Sequence, residues 1–94
     1  MAVLYVYESP EAKLDIYDRL SAQVRSQGMP AGGLQHTACL REGGGLFVVE
    51  VWESEEAHDK WDKEITERIR SAGGPPRPTP RKFQVHNMMS RDKA

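Results

Sequence analysis

Stretches of alternating and of helically spaced apolar residues follow one another along the 94-residue chain in the order strand, helix, strand, strand, helix, strand. A triple glycine turns the middle of the chain and a proline-rich connector precedes the last strand. Together these predict an α+β domain, a four-stranded antiparallel sheet with two helices on one face.

From Ala2 to Tyr7 the residues are almost all β-branched, aromatic or aliphatic, as in a strand, and Ser9-Pro10 resembles an N-cap followed by proline at the first helical position. Ile16, Leu20 and Val24 recur every fourth position with Tyr17 beside them, and Gly28 closes that helix as a C-terminal cap would. Leu34, His36, Ala38 and Leu40 alternate with Gln35, Thr37, Cys39 and Arg41, the period of a strand. Gly43-Gly44-Gly45 then makes a hairpin turn into a strand from Leu46 to Glu53. Ser54, followed by Glu55 and Glu56, caps a second helix with negative charge at its positive dipole end. Ala57, Trp61, Ile65 and Ile69 form its apolar stripe, and Ala72-Gly73-Gly74 ends it. The run Pro75-Pro76-Arg77-Pro78-Thr79-Pro80 can continue neither helix nor ladder, so it is read as an extended connector. A last strand is expected from Lys82 to Met89, with a polar tail over 90–94 outside a single domain of residues 1–89. This is the ferredoxin-like arrangement. The densely apolar first and third strands belong at its centre, and the more polar second and fourth at its edges.

Composition narrows the function classes. A formal net charge of −1 provides no field for nucleic acid or an anionic membrane, and no stretch has the length of a membrane span. Cys39 is the lone cysteine and no His/Cys grouping has zinc spacing, so neither a disulfide nor a metal site is expected. The opening run lacks a basic segment and meets Glu8 early, which leaves a cytoplasmic location as the expectation. Gly43-Gly44-Gly45 precedes a strand rather than a helix and lacks the geometry of a phosphate loop.

Two helices cover one face of the sheet, yet both faces of the central strands are apolar. Leu4 and Val6 oppose Val3, Tyr5 and Tyr7, and Phe47, Val49 and Val51 oppose Leu46, Val48 and Trp52. A second copy of the chain is the simplest cover for the other face, so a homodimer is expected.

The segment Val51-Trp52-Glu53-Ser54-Glu55-Glu56-Ala57-His58, supported by Gly33-Leu34-Gln35-His36 and Val85-His86-Asn87, resembles the antibiotic biosynthesis monooxygenase-like family of dimeric α+β barrels. The resemblance covers nearly the whole chain. It implies that two protomers join their sheets into a barrel, and a small-ligand protein that works without a cofactor. Quinone-forming oxygenation of a hydroquinone-type aromatic is the activity it suggests, and a non-catalytic dimer binding a metabolite or a protein is the alternative. Haem degraders of the same scaffold carry an asparagine on the first strand, a tryptophan in the second helix and a histidine near its end. Trp61 matches the tryptophan, but Tyr5 and Tyr7 stand at the first position and Arg68-Ile69-Arg70-Ser71 at the last. Haem degradation is therefore disfavoured.

The candidate site residues are His36 and His86 as catalytic groups and Tyr5, Tyr7, Trp52 and Trp61 as ligand contacts. His36, on an otherwise apolar strand face, fits a pocket base, which would take a proton from a phenol, although core histidines are the commoner occupants of such places. His86 fits the same cleft, a dimer surface or solvent. Trp61 has the bulk to wall a pocket or to anchor the core. Glu50 shares a face with Trp52, as a base or as one half of a hydrogen bond or ion pair across a protomer interface. The tyrosines offer phenolic donors or simple packing. His58 falls off the apolar stripe and is expected to be exposed, and Arg77, Arg81 and Lys82 are expected to be solvated. The ligand is expected between helices and sheet, bounded by His36, Trp61 and a strand tyrosine.

Overall fold

The structure is a computed structural model that describes residues 1–91; the last three residues of the expected polar tail lie outside the described residues. Its elements are β1 (Val3–Ser9), α1 (Leu14–Gln27), β2 (Gly33–Leu40), β3 (Leu46–Trp52), α2 (Glu55–Ser71) and β4 (Arg81–Gln84). They form the expected ferredoxin-like α+β fold, an antiparallel sheet in the order β2-β3-β1-β4 with β1 and β3 at its centre.

Val3, Tyr5 and Tyr7 of β1 and Leu46, Val48 and Trp52 of β3 make one buried cluster on the helix face. The row behind them is less covered. Leu4, Val6 and Val49 are half-buried and Phe47 and Phe83 are exposed, while Val51 is fully buried. The hairpin between β2 and β3 turns through Gly43, Gly44 and Gly45, all at positive φ, a region that side-chain-bearing residues rarely adopt. Arg41 N–H donates to Gly45 O at 3.1 Å and closes the turn.

Two boundaries differ from the expectation. Ser9 does not cap α1, because β1 runs on to pair Ser9 with Leu46; Pro10 falls in a turn and the helix begins at Leu14 with no side-chain cap at Lys13. The last strand stops at Gln84 rather than Met89. Val3 of β1 pairs with Gln84, and one more bond, Val85 N–H to Ala2 O at 3.0 Å, exhausts the N-terminal end of β1. Alternation in the sequence continues past that point, but the partner strand does not.

Helix α2 starts as the sequence dictates, with the Ser54 hydroxyl accepting from Ala57 N–H at 3.1 Å. Its packing is unusual for an amphipathic helix. Within α2 the buried residue is His58, and Trp61, Ile65 and Ile69 are half-buried, so the stripe meant for a core faces an open space instead.

Candidate functional site

That space is a cavity of about 1160 Å³ between the helices and the sheet. Ile16, Leu20 and Val24 of α1 and Trp61, Ile65 and Ile69 of α2 form its apolar walls, and Tyr7, Val48 and Trp52 its floor. It is slightly larger than the ~300–1,000 Å³ usual for small-molecule sites. The proline connector crosses one end through Pro75, Pro76, Arg77 and Pro78.

A chain of polar groups runs along this wall. His36 lies opposite Glu50 in the β2–β3 ladder, with Nδ1 3.1 Å from Glu50 Oε2. Its Nε2 is 2.7 Å from the Tyr17 hydroxyl on α1, and the two rings are nearly parallel, 5.9 Å apart. Trp52 Nε1–H donates to Glu50 Oε1 at 3.0 Å and Arg77 Nη2–H to Glu50 Oε2 at 3.0 Å. Arg77 also donates to Asp62 Oδ1 at 2.8 Å and lies 3.9 Å above the Tyr7 ring. Burial of Glu50 opposes its ionisation, but the His36 hydrogen bond, the Arg77 charge and the Trp52 N–H outweigh it and bring the carboxyl down to about 2. Glu50 is therefore an anion at neutral pH and one half of an ion pair, not a base.

A β-bulge puts His36 on this wall. Gly33 pairs with Trp52, but Gln35 pairs with Val51, so Leu34 is the extra residue. Continued in the register of Gly33, the ladder would set Gln35 across from Glu50 and turn His36 to the opposite face. Leu34 is exposed, outside the row of alternating residues to which its spacing assigns it.

The sequence candidates separate into three groups. His36, Tyr7, Trp52 and Trp61 all line the cavity. Trp61 does so while resting one side on the core cluster. Tyr5 lies beneath, buried and stacked on His58 with ring centroids 3.6 Å apart. Burial, and then the carboxylates of Asp59 and Glu55, push its phenol up to about 12. His86 is exposed beyond the end of β4 and is not among the cavity-lining residues.

Three residues were misjudged or missed by sequence reasoning. His58 is 4% exposed rather than solvent-facing. It stacks on Tyr5 and lies 2.5 Å from the Tyr7 hydroxyl, so the tyrosines of β1 bury it. Arg77 is held by Glu50, Asp62 and Tyr7 rather than solvated; a buried carboxylate across the fold draws it in. Tyr17, read with the other tyrosines as a phenolic donor or a packing residue, is the partner of His36, and only that pairing went unread.

Fold and cavity together define a ferredoxin-like α+β domain with an apolar small-molecule-sized chamber bearing a carboxylate-linked histidine. No protein-family model matches the chain, and no curated protein matches it in sequence. Solved structures do share its fold. A putative antibiotic biosynthesis monooxygenase from Chloroflexus aurantiacus superposes with a TM-score of 0.59 at 14% identity, over 95% of each chain. A heme-degrading protein from Mycobacterium tuberculosis, crystallised heme-free, superposes with a TM-score of 0.55 at 21% identity, over 96% of this chain and 100% of that one. At such identities the likeness is one of fold, and it agrees with the fold the family resemblance implies. No helix among the described residues is long and apolar enough to cross a membrane.

Proposed function

We propose that the protein is a homodimeric small-ligand protein that takes a hydroquinone-type aromatic into each cavity and oxygenates it without a cofactor. One observation carries the reading: the apolar stripes of both helices border an open chamber instead of closing on the sheet, with His36 at its wall. A planar apolar ligand with one or two hydroxyls matches walls of Ile, Leu and Trp beside the polar groups of His36 and Arg77.

In the proposed reaction the substrate hydroxyl displaces Tyr17 and gives its proton to His36. The hydrogen-bearing, electron-rich ring carbon ortho to that oxygen bonds dioxygen as a hydroperoxide, and loss of water from that carbon leaves a hydroxyquinone. One oxygen atom enters the product, the other leaves as water, and the substrate supplies all the electrons. Pairing of the open sheet face, through Leu4, Val6, Val49, Phe47 and Phe83, accounts for the dimer. The occupation of His36 by Tyr17 favours a second reading, in which the chamber binds a metabolite without turning it over.

The test is oxygen uptake with a panel of hydroquinones. Wild type should consume one dioxygen per quinone formed, and His36→Ala should lose turnover while sedimenting as the same dimer. Binding with no uptake in wild type selects the second reading, and neither binding nor uptake refutes both.

A further inference from the structure

Glu50 is the buried charge of the cavity wall that the reaction above does not use. We propose that Glu50 is a positioning residue that fixes the tautomer of His36, keeping the proton on Nδ1 and leaving Nε2 bare toward the cavity. The role rests on the reading of His36 as the proton acceptor.

The donors and acceptors around the carboxylate fix where the imidazole hydrogen sits. An ionised carboxylate has only acceptors. Trp52 Nε1–H takes Oε1 and Arg77 Nη2–H takes Oε2, each at 3.0 Å, and both are obligate donors. The same Oε2 faces His36 Nδ1 at 3.1 Å, so Nδ1 must carry a hydrogen. In a neutral imidazole the other nitrogen is then an acceptor, and the Tyr17 hydroxyl donates to it at 2.7 Å. Free histidine prefers the reverse tautomer, with the proton on Nε2. The carboxylate has little freedom to do otherwise. Its side chain is 4% exposed, and it is gripped from its own strand by Trp52, from the neighbouring strand by His36 and from the proline connector by Arg77. The bulge at Leu34 brings His36 into register with it. An isosteric glutamine cannot satisfy this set, because its NH₂ would face either the Trp52 N–H or the donors from His36 and Arg77.

Nitrogen-15 spectra of the imidazole, recorded at alkaline pH on wild type, Glu50→Asp and Glu50→Gln, test the assignment. The expected result is the Nδ1–H form in wild type and Glu50→Asp, with a mixture or the reversed form in Glu50→Gln. With hydroquinone substrates, Glu50→Gln should lower kcat roughly a hundredfold, within the usual span for a positioned base, and change KM little. An Nε2–H form in wild type overturns the proposal, as does a Glu50→Gln protein that keeps the wild-type form. If Glu50→Gln fails to fold, the wild-type spectrum alone decides. Unchanged turnover in His36→Ala would refute the functional reading, and the spectra would still decide what Glu50 does to the ring.

Discussion

Acidification of wild type and of Arg77→Gln tests the electrostatics of the cavity wall. The fold brings the Glu50 carboxyl from its ordinary 4.5 down to about 2. At about 1.4 kcal/mol per tenfold change in proton affinity, that difference is worth about 3 kcal/mol of stability at neutral pH. The side chain is 4% exposed, so solvent screening removes little of it. Because the folded carboxyl titrates below the unfolded one, the contribution is fully present above pH 4.5 and is lost as the pH falls through about 2. Arg77→Gln removes the guanidinium 3.0 Å from Glu50 Oε2 and leaves His36 and Trp52 in place. Breaking a buried pair by removing one partner destabilises by ~3–5 kcal/mol, and the lower end applies because the carboxylate keeps two donors. Urea titrations from pH 7 down to 2.5 should show wild type losing stability below about pH 4.5, as Glu50 of the unfolded chain takes up its proton before that of the folded chain. The variant should be weaker at pH 7 and lose less on acidification. Parallel pH curves for the two proteins would refute the ion-pair account.

Three further outcomes follow from the same geometry. Tyr7→Phe removes the hydroxyl partner of buried His58 and should destabilise by ~1–3 kcal/mol in chemical denaturation, whereas Tyr17→Phe, at the more exposed pair, should change stability less. Trp61→Ala should fall below the ~3–5 kcal/mol of a fully buried tryptophan, because one side of Trp61 faces the cavity, and should weaken ligand binding more than it lowers Tm. Phe83→Asp, on the open sheet face, should shift sedimentation from dimer to monomer while leaving the near-ultraviolet spectrum of Trp52 and Trp61 unchanged.

Much of the fold was legible because its signals are local. The Ser54 cap, the Gly43-Gly44-Gly45 turn and the alternation of β1 and β3 each act within a few residues and are found where they were read. What was not legible depended on partners distant in sequence. Ser9-Pro10 has the chemistry of a helix start, but pairing of Ser9 with Leu46 claims it for the strand. The final strand carries its alternation past Gln84 with no β1 backbone left to meet it.

The wall of the cavity shows the same division. Strict alternation set His36 among apolar residues, and its place opposite Glu50 depends on a bulge at Leu34 that no residue type in Gly33-Leu34-Gln35 announces. Arg77 sits in a run whose prolines correctly exclude helix and ladder. Its side chain is decided by Glu50, 27 positions away. His58 looked exposed because the stripe was drawn through Ala57 and Trp61. The strand tyrosines, not the helix period, bury it.

The central claim is that the chamber between helices and sheet holds a small aromatic molecule, and titration of the isotope-labelled protein with a hydroquinone measures it most directly. The account predicts saturable binding of one molecule per protomer, with shifts concentrated on His36, Tyr17, Trp61 and Ile65 and lost in His36→Ala. Shifts confined to the open sheet face around Phe47 and Phe83, or no saturable binding across a panel of such ligands, would contradict it.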